Sequence, residues 1–270
     1  MGATQISLQP AFMLHGRPYR DTSLLLDILT PDHGRVSLVA RGVRRPRSAL
    51  PALLQPFTPL LMSWTGRHEL KTMISAERDG APWRLAGRQM ASGFYANELL
   101  LRLLGHEDPH PRLFDHYGRL LGRLLQSPQL AADPAALLRH EEQALRVFEK
   151  YLLDELGYGL QLERDAVSGM PLQPGQHYNY HLDHGPVILG GADPLGNEPS
   201  IAISGAALRA LAMDTVLEPQ CLQQCKQLMR MVLKPLLGER PLYSRQLFRG
   251  LHTPVEPATN SEQHPSTIEA

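Results

Sequence analysis

Residues 22–43 read TSLLLDILTPDHGRVSLVARGV, and this stretch decides the fold class. Residues 22–30 are an apolar run bounded ahead by Arg20-Asp21 and behind by Pro31-Asp32-His33-Gly34. That second boundary is a turn for stated reasons: Pro presets φ, Asp caps the chain, and Gly permits a positive φ. Residues 35–43 follow at once and alternate in part, so the stretch reads as a β-hairpin.

Working outward, residues 7–14 are apolar-rich, and residues 58–64 and 69–77 form a second strand pair joined by Thr65-Gly66-Arg67-His68. Five short strands in about 80 residues, punctuated by turns, predict a small barrel or sandwich, and an OB-fold is a five-stranded barrel of this size. The pattern then changes to helical spacing. Helices are expected at 92–104, stopped by Gly105; at 110–125, ended before Pro128; and at 134–156, with Asp133 as cap, Pro134 at the first position and Gly157 as stop. Residues 204–212 and 219–233 are the last two. Residues 158–200 are rich in Gly, Pro and His, with a hairpin at 177–189. The fold class is therefore α+β: an OB-fold domain at 1–82 and a mostly helical domain at 83–252 with a small irregular insertion at about 158–200. Residues 253–270 hold three Glu, three Pro and no Lys or Arg, and are expected to be a disordered tail.

The composition narrows the function classes. Hydrophobic residues make up 43% of the chain, enough for a core, and aromatics only 6%, which favours helices filled by Leu and Ala. No apolar run is long enough to span a membrane, and the first residues lack the basic and apolar regions of a signal peptide, so a cytoplasmic location is expected. Net charge is zero, but unevenly spread: residues 1–80 carry ten Lys/Arg against six Asp/Glu, and residues 81–270 carry 17 against 21. The excess of four positive charges in the first part points to an anionic partner there.

The strongest motif is Arg41-Gly42-Val43-Arg44-Arg45-Pro46-Arg47-Ser48. Gly and Pro keep it out of regular structure, so it is a loop displaying four guanidinium groups with no acid between them. Arginine suits phosphate because its planar fork binds two oxygens at once. An ordinary solvated loop is the alternative. On an OB-fold the loop would flank the nucleic-acid groove, with Arg17, Arg20 and Arg35 extending the patch and Tyr19 or Trp64 able to stack on bases. Lys226, Arg230 and Lys234 recur every four residues on the last helix beside Leu228, Met229 and Val232, a basic stripe next to an apolar one that suits an acidic, hydrophobic peptide.

Other features carry less. Residues 66–72 (GRHELKT) end like a phosphate-binding loop but lack its glycines, so no ATPase motif is present. His177, His181 and His184 lie near Asp183; on a strand, His177, His181 and Asp183 would share a face, a weak pattern for a metal site. Cys221 and Cys225 sit four apart on a helix, about 5–6 Å between Cβ atoms, too far for a disulfide, and read as buried small apolar residues. No catalytic constellation stands out.

Several stretches together resemble the RecO family of recombination mediators: residues 14–48, then LQPF at 54–57 and Trp64-Thr65-Gly66, GFYANELLLRLL at 93–104, DPHPRLFDHY at 108–117, more loosely 139–157, and LKPLLGERPLYSRQLF at 233–248. The resemblance runs over about residues 10–250. It implies an OB-fold and a helical domain, binding of single- and double-stranded DNA, and annealing of strands coated with single-strand-binding protein. It further implies partnership with RecR and with the acidic tail of the single-strand-binding protein, help in loading RecA, and no enzymatic activity or cofactor. Residue by residue, it places Arg35, Arg41, Arg44, Arg45 and Arg47 at the DNA surface, and Lys226 and Arg230 beside the groove for the tail peptide. One departure is evident: many members carry a four-cysteine zinc site after the long helix, and residues 157–191 contain no cysteine. An OB-fold adaptor that never touches DNA, and a metal-dependent enzyme built on His177, His181 and Asp183, are the competing readings.

Overall fold

The computed structural model describes residues 5–81, 83–126, 133–190, 195–196 and 198–250. The tail expected at 253–270 lies outside them.

Five strands close into a barrel: β1 (Gln5–Tyr19), β2 (Ser23–Thr30), β3 (Gly34–Ala40), β4 (Pro59–Thr65) and β5 (Leu70–Arg78), with a short helix α1 (Leu50–Leu53) between β3 and β4. The barrel order is β1-β2-β3-β5-β4, with β1 pairing both β2 and β4. All pairs are antiparallel except β3 with β5. This is the five-stranded barrel of an OB-fold. The hairpin at residues 22–43 forms as its sequence predicts, with Leu26 opposite Leu38 and Ile28 opposite Val36, all without solvent exposure. Each such side chain stabilises the fold by roughly 1.5–3 kcal/mol.

β1 is almost twice as long as its sequence suggests. The chain stays extended past residue 14 because Gly16, Arg17 and Pro18 pair with Leu26, Leu25 and Leu24. Register shifts between Ile6 and Gln9 and between Met13 and His15 bend the strand, so its two ends serve two neighbours.

The helical part comprises α2 (Gly87–Leu103), α3 (Pro111–Gln126), α4 (Pro134–Glu155), α5 (Gly205–Ala212), α6 (Pro219–Leu237) and α7 (Ser244–Gly250). A three-stranded sheet accompanies it: β6 (His177–His181), β7 (Gly185–Ile188) and β8 (Ser200–Ser204), in the order β7-β6-β8. The predicted hairpin is β6–β7; the third strand was not legible. α2 also starts five residues before its predicted position. Gly93 lies inside the helix, as predicted, and its missing side chain makes room for Phe57, whose ring lies 2.6 Å from where a Cβ would stand.

The helices do not merely follow the barrel. Phe12, Leu14, Leu29 and Phe57 belong to the same buried cluster as Leu99, Leu113, Tyr117 and Phe148. Asn97 Nδ2 donates to the Leu14 carbonyl at 2.8 Å, and Tyr117 Oη donates to Asn97 Oδ1 at 2.5 Å, so the polar groups at this junction are paired. Burial pushes the Tyr117 hydroxyl well above its ordinary value, against the pull of the Asn97 bond.

Candidate nucleic-acid interface

Two segments meet at one end of the barrel. The first is the β1–β2 hairpin tip, where Arg20 takes a φ of +51° and its guanidinium lies 5.2 Å from the centre of the Tyr19 ring. The second is the loop after β3. Arg44 binds the two together: its backbone N–H donates to the Thr22 carbonyl at 2.8 Å and its side chain to the Arg20 carbonyl at 3.4 Å.

The loop is built, not loose. Val43 is fully buried and anchors it in the barrel interior. Gly42 turns the chain with φ +71°, and backbone bonds from Arg45 to Gly42 and from Ser48 to Arg45 close two tight turns. Arg47 holds a φ of +69°, which for a side-chain-bearing residue costs about 1 kcal/mol or more. The result is four exposed arginines, Arg41, Arg44, Arg45 and Arg47, facing solvent beside exposed Arg17 and Arg20. Among these positions the one nearby acid is Asp21. Such an array suits phosphate oxygens, with half-buried Tyr19 offering a partial aromatic face.

Two sequence candidates lie elsewhere. Arg35 is half-buried at the other end of β2–β3, where its guanidinium donates to the Leu101 carbonyl on α2 and its own carbonyl accepts from Glu107 N–H at 2.9 Å. It ties barrel to helices and is not part of the loop cluster. Trp64 is 1% exposed, inside the barrel and edge-on to His33 at 5.4 Å, so it has no face for a base. Neither placement was readable locally, because the partners are distant in sequence.

On α6, Lys226 Nζ pairs with Glu142 Oε1 of α4 at 2.6 Å, while Arg230 is exposed with no ion pair among the described residues. Glu142 is shared with Arg88 at 3.4 Å. Beneath lies a trio of buried Arg146 and Glu149 with half-buried Tyr95, in which Glu149 Oε1 accepts from Arg146 and from Tyr95 Oη, each at 2.6 Å. Burial raises Glu149, opposed by the Arg146 charge. Lys226 and Arg230 thus stand side by side on α6, but Lys226 is already engaged.

The histidines diverge. His177 is exposed at one end of β6, His181 is fully buried at the other, and His184 pairs with Glu198 at 3.4 Å. Among the described residues no group of three His, Cys, Asp or Glu is placed to hold a metal ion. Both cysteines are free thiols; Cys225 is buried, and burial pushes its thiol up to about 12. No described helix is long and apolar enough to cross a membrane.

Comparison with known proteins agrees with this architecture. Residues 5–78 match the family model described as Recombination protein O N terminal, and residues 84–246 match Recombination protein O C terminal. Curated relatives from several bacteria are named DNA repair protein RecO. That of Coxiella burnetii (strain RSA 331 / Henzerling II) is 42% identical, over 90% of this chain and 98% of the relative. That of Nitrosococcus oceani is 44% identical, over 92% and 94%, and that of Alkalilimnicola ehrlichii 43%, over 96% and 97%. With a barrel and a helical region each matched along its length, the chain belongs to the RecO family.

Proposed function

We propose that this protein is a DNA-binding recombination mediator acting in DNA repair, without enzymatic activity or cofactor. The observation that carries the reading is the arginine loop pinned by Arg44 to the β1–β2 tip. Arg41, Arg44, Arg45 and Arg47 are all exposed, as are Arg17 and Arg20 on and beside the β1–β2 tip. Residues 1–82 act as the nucleic-acid-binding domain and 83–252 as the partner-binding domain. Arginines bind phosphates without reading bases, so single- and double-stranded DNA are both substrates for contact. Neutralising phosphate charge lowers the repulsion between complementary strands and permits annealing. Lys226 and Arg230 recruit the acidic tail of single-strand-binding protein; for Lys226 this exchanges the Glu142 carboxylate for one from the tail. RecR binding and assistance in loading RecA complete the proposed role.

The test is fluorescence anisotropy of labelled single-stranded DNA across a salt series, comparing wild type with the Arg44→Ala/Arg45→Ala/Arg47→Ala variant. The expected result is a steep log–log salt slope that falls by about 2 in the variant, at about 0.7 per lost phosphate contact. Affinity drops while the far-UV circular dichroism spectrum is unchanged. Equal binding by both proteins would refute the loop as the contact. No binding by either at low salt would favour an adaptor.

A further inference from the structure

α3 carries a second basic row, remote from the loop. Arg112, His116, Arg119 and Arg123 are spaced by four, three and four residues, so they share one face of the helix. The opposite face, Leu113, Tyr117, Leu120, Leu121 and Leu124, is buried in the core. At a rise of about 1.5 Å per residue the row is about 16 Å long. Its middle borders a cleft of about 80 Å³ between α3 and α4, lined by His116, Arg119, Arg123, Val147, Phe148 and Tyr151.

The groups around the cleft are largely committed in a way that leaves the row basic. Asp214 is held by Lys150 Nζ and Tyr151 Oη, at 2.5 and 2.7 Å. Glu155 is shared between His110 at 3.3 Å and Arg112 at 3.6 Å. Asp115 is the one exposed acid on the helix itself. Arg119 is exposed and has no ion pair among the described residues. His116 stacks on Tyr151 with ring centres 3.4 Å apart. Its pKa is lowered first by burial and then by the Arg119 charge, with Asp214 pulling the other way.

The position matters as much as the charge. The arginine loop sits where β2 begins, at Thr22 and Ser23, whereas α3 packs on the other end of that strand, with Phe114 against Phe12, which pairs with Leu29. The length of β2 from Ser23 to Thr30, about 23 Å at 3.3 Å per residue, separates them.

We propose that the Arg112–His116–Arg119–Arg123 face of α3 is a second phosphodiester-binding surface, holding a nucleic-acid strand separate from the one on the barrel loop. The inference rests on the DNA-binding reading above. Phosphates of one strand of a duplex recur about every 3.4 Å of axis, and the row is long enough to meet more than one phosphate of an extended single strand too. Exposed Arg112 and Arg119 and half-buried Arg123 supply the contacts, and the cleft gives the row a recess on one side. One molecule then holds two strands about a barrel length apart, which is what bringing complementary strands together requires.

The experiment is a stoichiometry titration with labelled ten-nucleotide single strands on four full-length proteins. These are wild type, the loop variant above, Arg119→Glu/Arg123→Glu, and the two variants combined. The expected pattern is two strands on wild type, one on each variant and none on the combination. Annealing of complementary strands should fall at least tenfold in Arg119→Glu/Arg123→Glu. Arg119→Lys/Arg123→Lys, which keeps the charge, should retain the second strand, and the one strand still bound by Arg119→Glu/Arg123→Glu excludes a folding defect. Two strands on Arg119→Glu/Arg123→Glu overturns the proposal while leaving the loop reading intact. One strand on wild type, with a Glu-rich probe peptide that binds wild type and not Arg119→Glu/Arg123→Glu, overturns it in favour of an acidic peptide site. No strand on wild type removes the DNA-binding reading and this one together.

Discussion

Asp165 holds together a segment, residues 158–176, that has no helix or strand of its own. Its Oδ1 accepts from Val167 N–H at 3.1 Å, Ser168 N–H at 2.6 Å and Ser168 Oγ at 2.7 Å, and its Oδ2 from Ile188 N–H at 2.8 Å. Burial by itself would raise the carboxyl, but these four donors, Ser168 foremost, outweigh it and hold the group below its ordinary value. A depressed native pKa means stability that is full above the unfolded value, about 3.9, and is lost as pH falls through the native one. Asp165→Asn keeps the shape, removes the charge and turns an amide N–H₂ toward a donor, at a cost of about 2 kcal/mol. The melting temperatures of wild type and Asp165→Asn should therefore differ at neutral pH and converge below about pH 4. A gap of constant size from pH 7 to the acid limit of folding would show that the charge of Asp165 contributes nothing.

At the scale of elements, the β2–β3 turn separates what sequence can show from what it cannot. Pro31-Asp32-His33-Gly34 announces a turn by local chemistry, and Gly34 does take φ +60°. Nothing local announces that the chain at Asp108 lies against it, so that a Cβ on Gly34 would stand 1.9 Å from the Asp108 carbonyl oxygen. Gly80, at φ +88°, has open space around it. Alanine at Gly80 thus costs only backbone strain, about 1 kcal/mol, while Gly34→Ala adds a backbone clash and should cost about 3 kcal/mol or more in urea unfolding. Equal losses would mean that the Asp108 contact yields freely. The same division runs through the chain. Strand pairs and long helices were legible because alternation, caps and stops are local. β8 was not, because a strand of five residues is defined by its partner β6 rather than by its own pattern. The arginine loop could be read as a loop from Gly42 and Pro46, but the role of Arg35 depends on Leu101, 66 residues away. The α3 row was present in the spacing of Arg112, His116, Arg119 and Arg123, and became distinctive only once the burial of the opposite face was known.

For the whole molecule, the question is whether barrel and helices are two bodies or one. Charge divides them, with the first 80 residues net positive and the remainder net negative. Packing joins them: Phe12 of the barrel meets the rings of Trp83, Phe114 and Tyr117 at 5.9, 5.3 and 5.2 Å, and Asn97 bonds across the same junction. The barrel also has its own interior cluster around Leu26, Leu38 and Trp64, which does not depend on the helices. The shared cluster holds more of the buried side chains than the barrel interior does, so the two parts should unfold together. Trp64 in the barrel interior and Trp83 at the junction report the barrel and its seam with the helices, and ellipticity at 222 nm reports mainly the helices. In thermal unfolding both signals should trace one transition. Phe12→Ala, which empties the junction at a cost of about 3–5 kcal/mol, should move both curves down by the same amount. If the variant shifts fluorescence and leaves ellipticity in place, the halves are independent. The two proposed strand-binding surfaces would then be free to move relative to each other. If the curves move together, the separation between the loop and α3 is fixed by the fold, and the spacing of two bound strands is set by the length of β2.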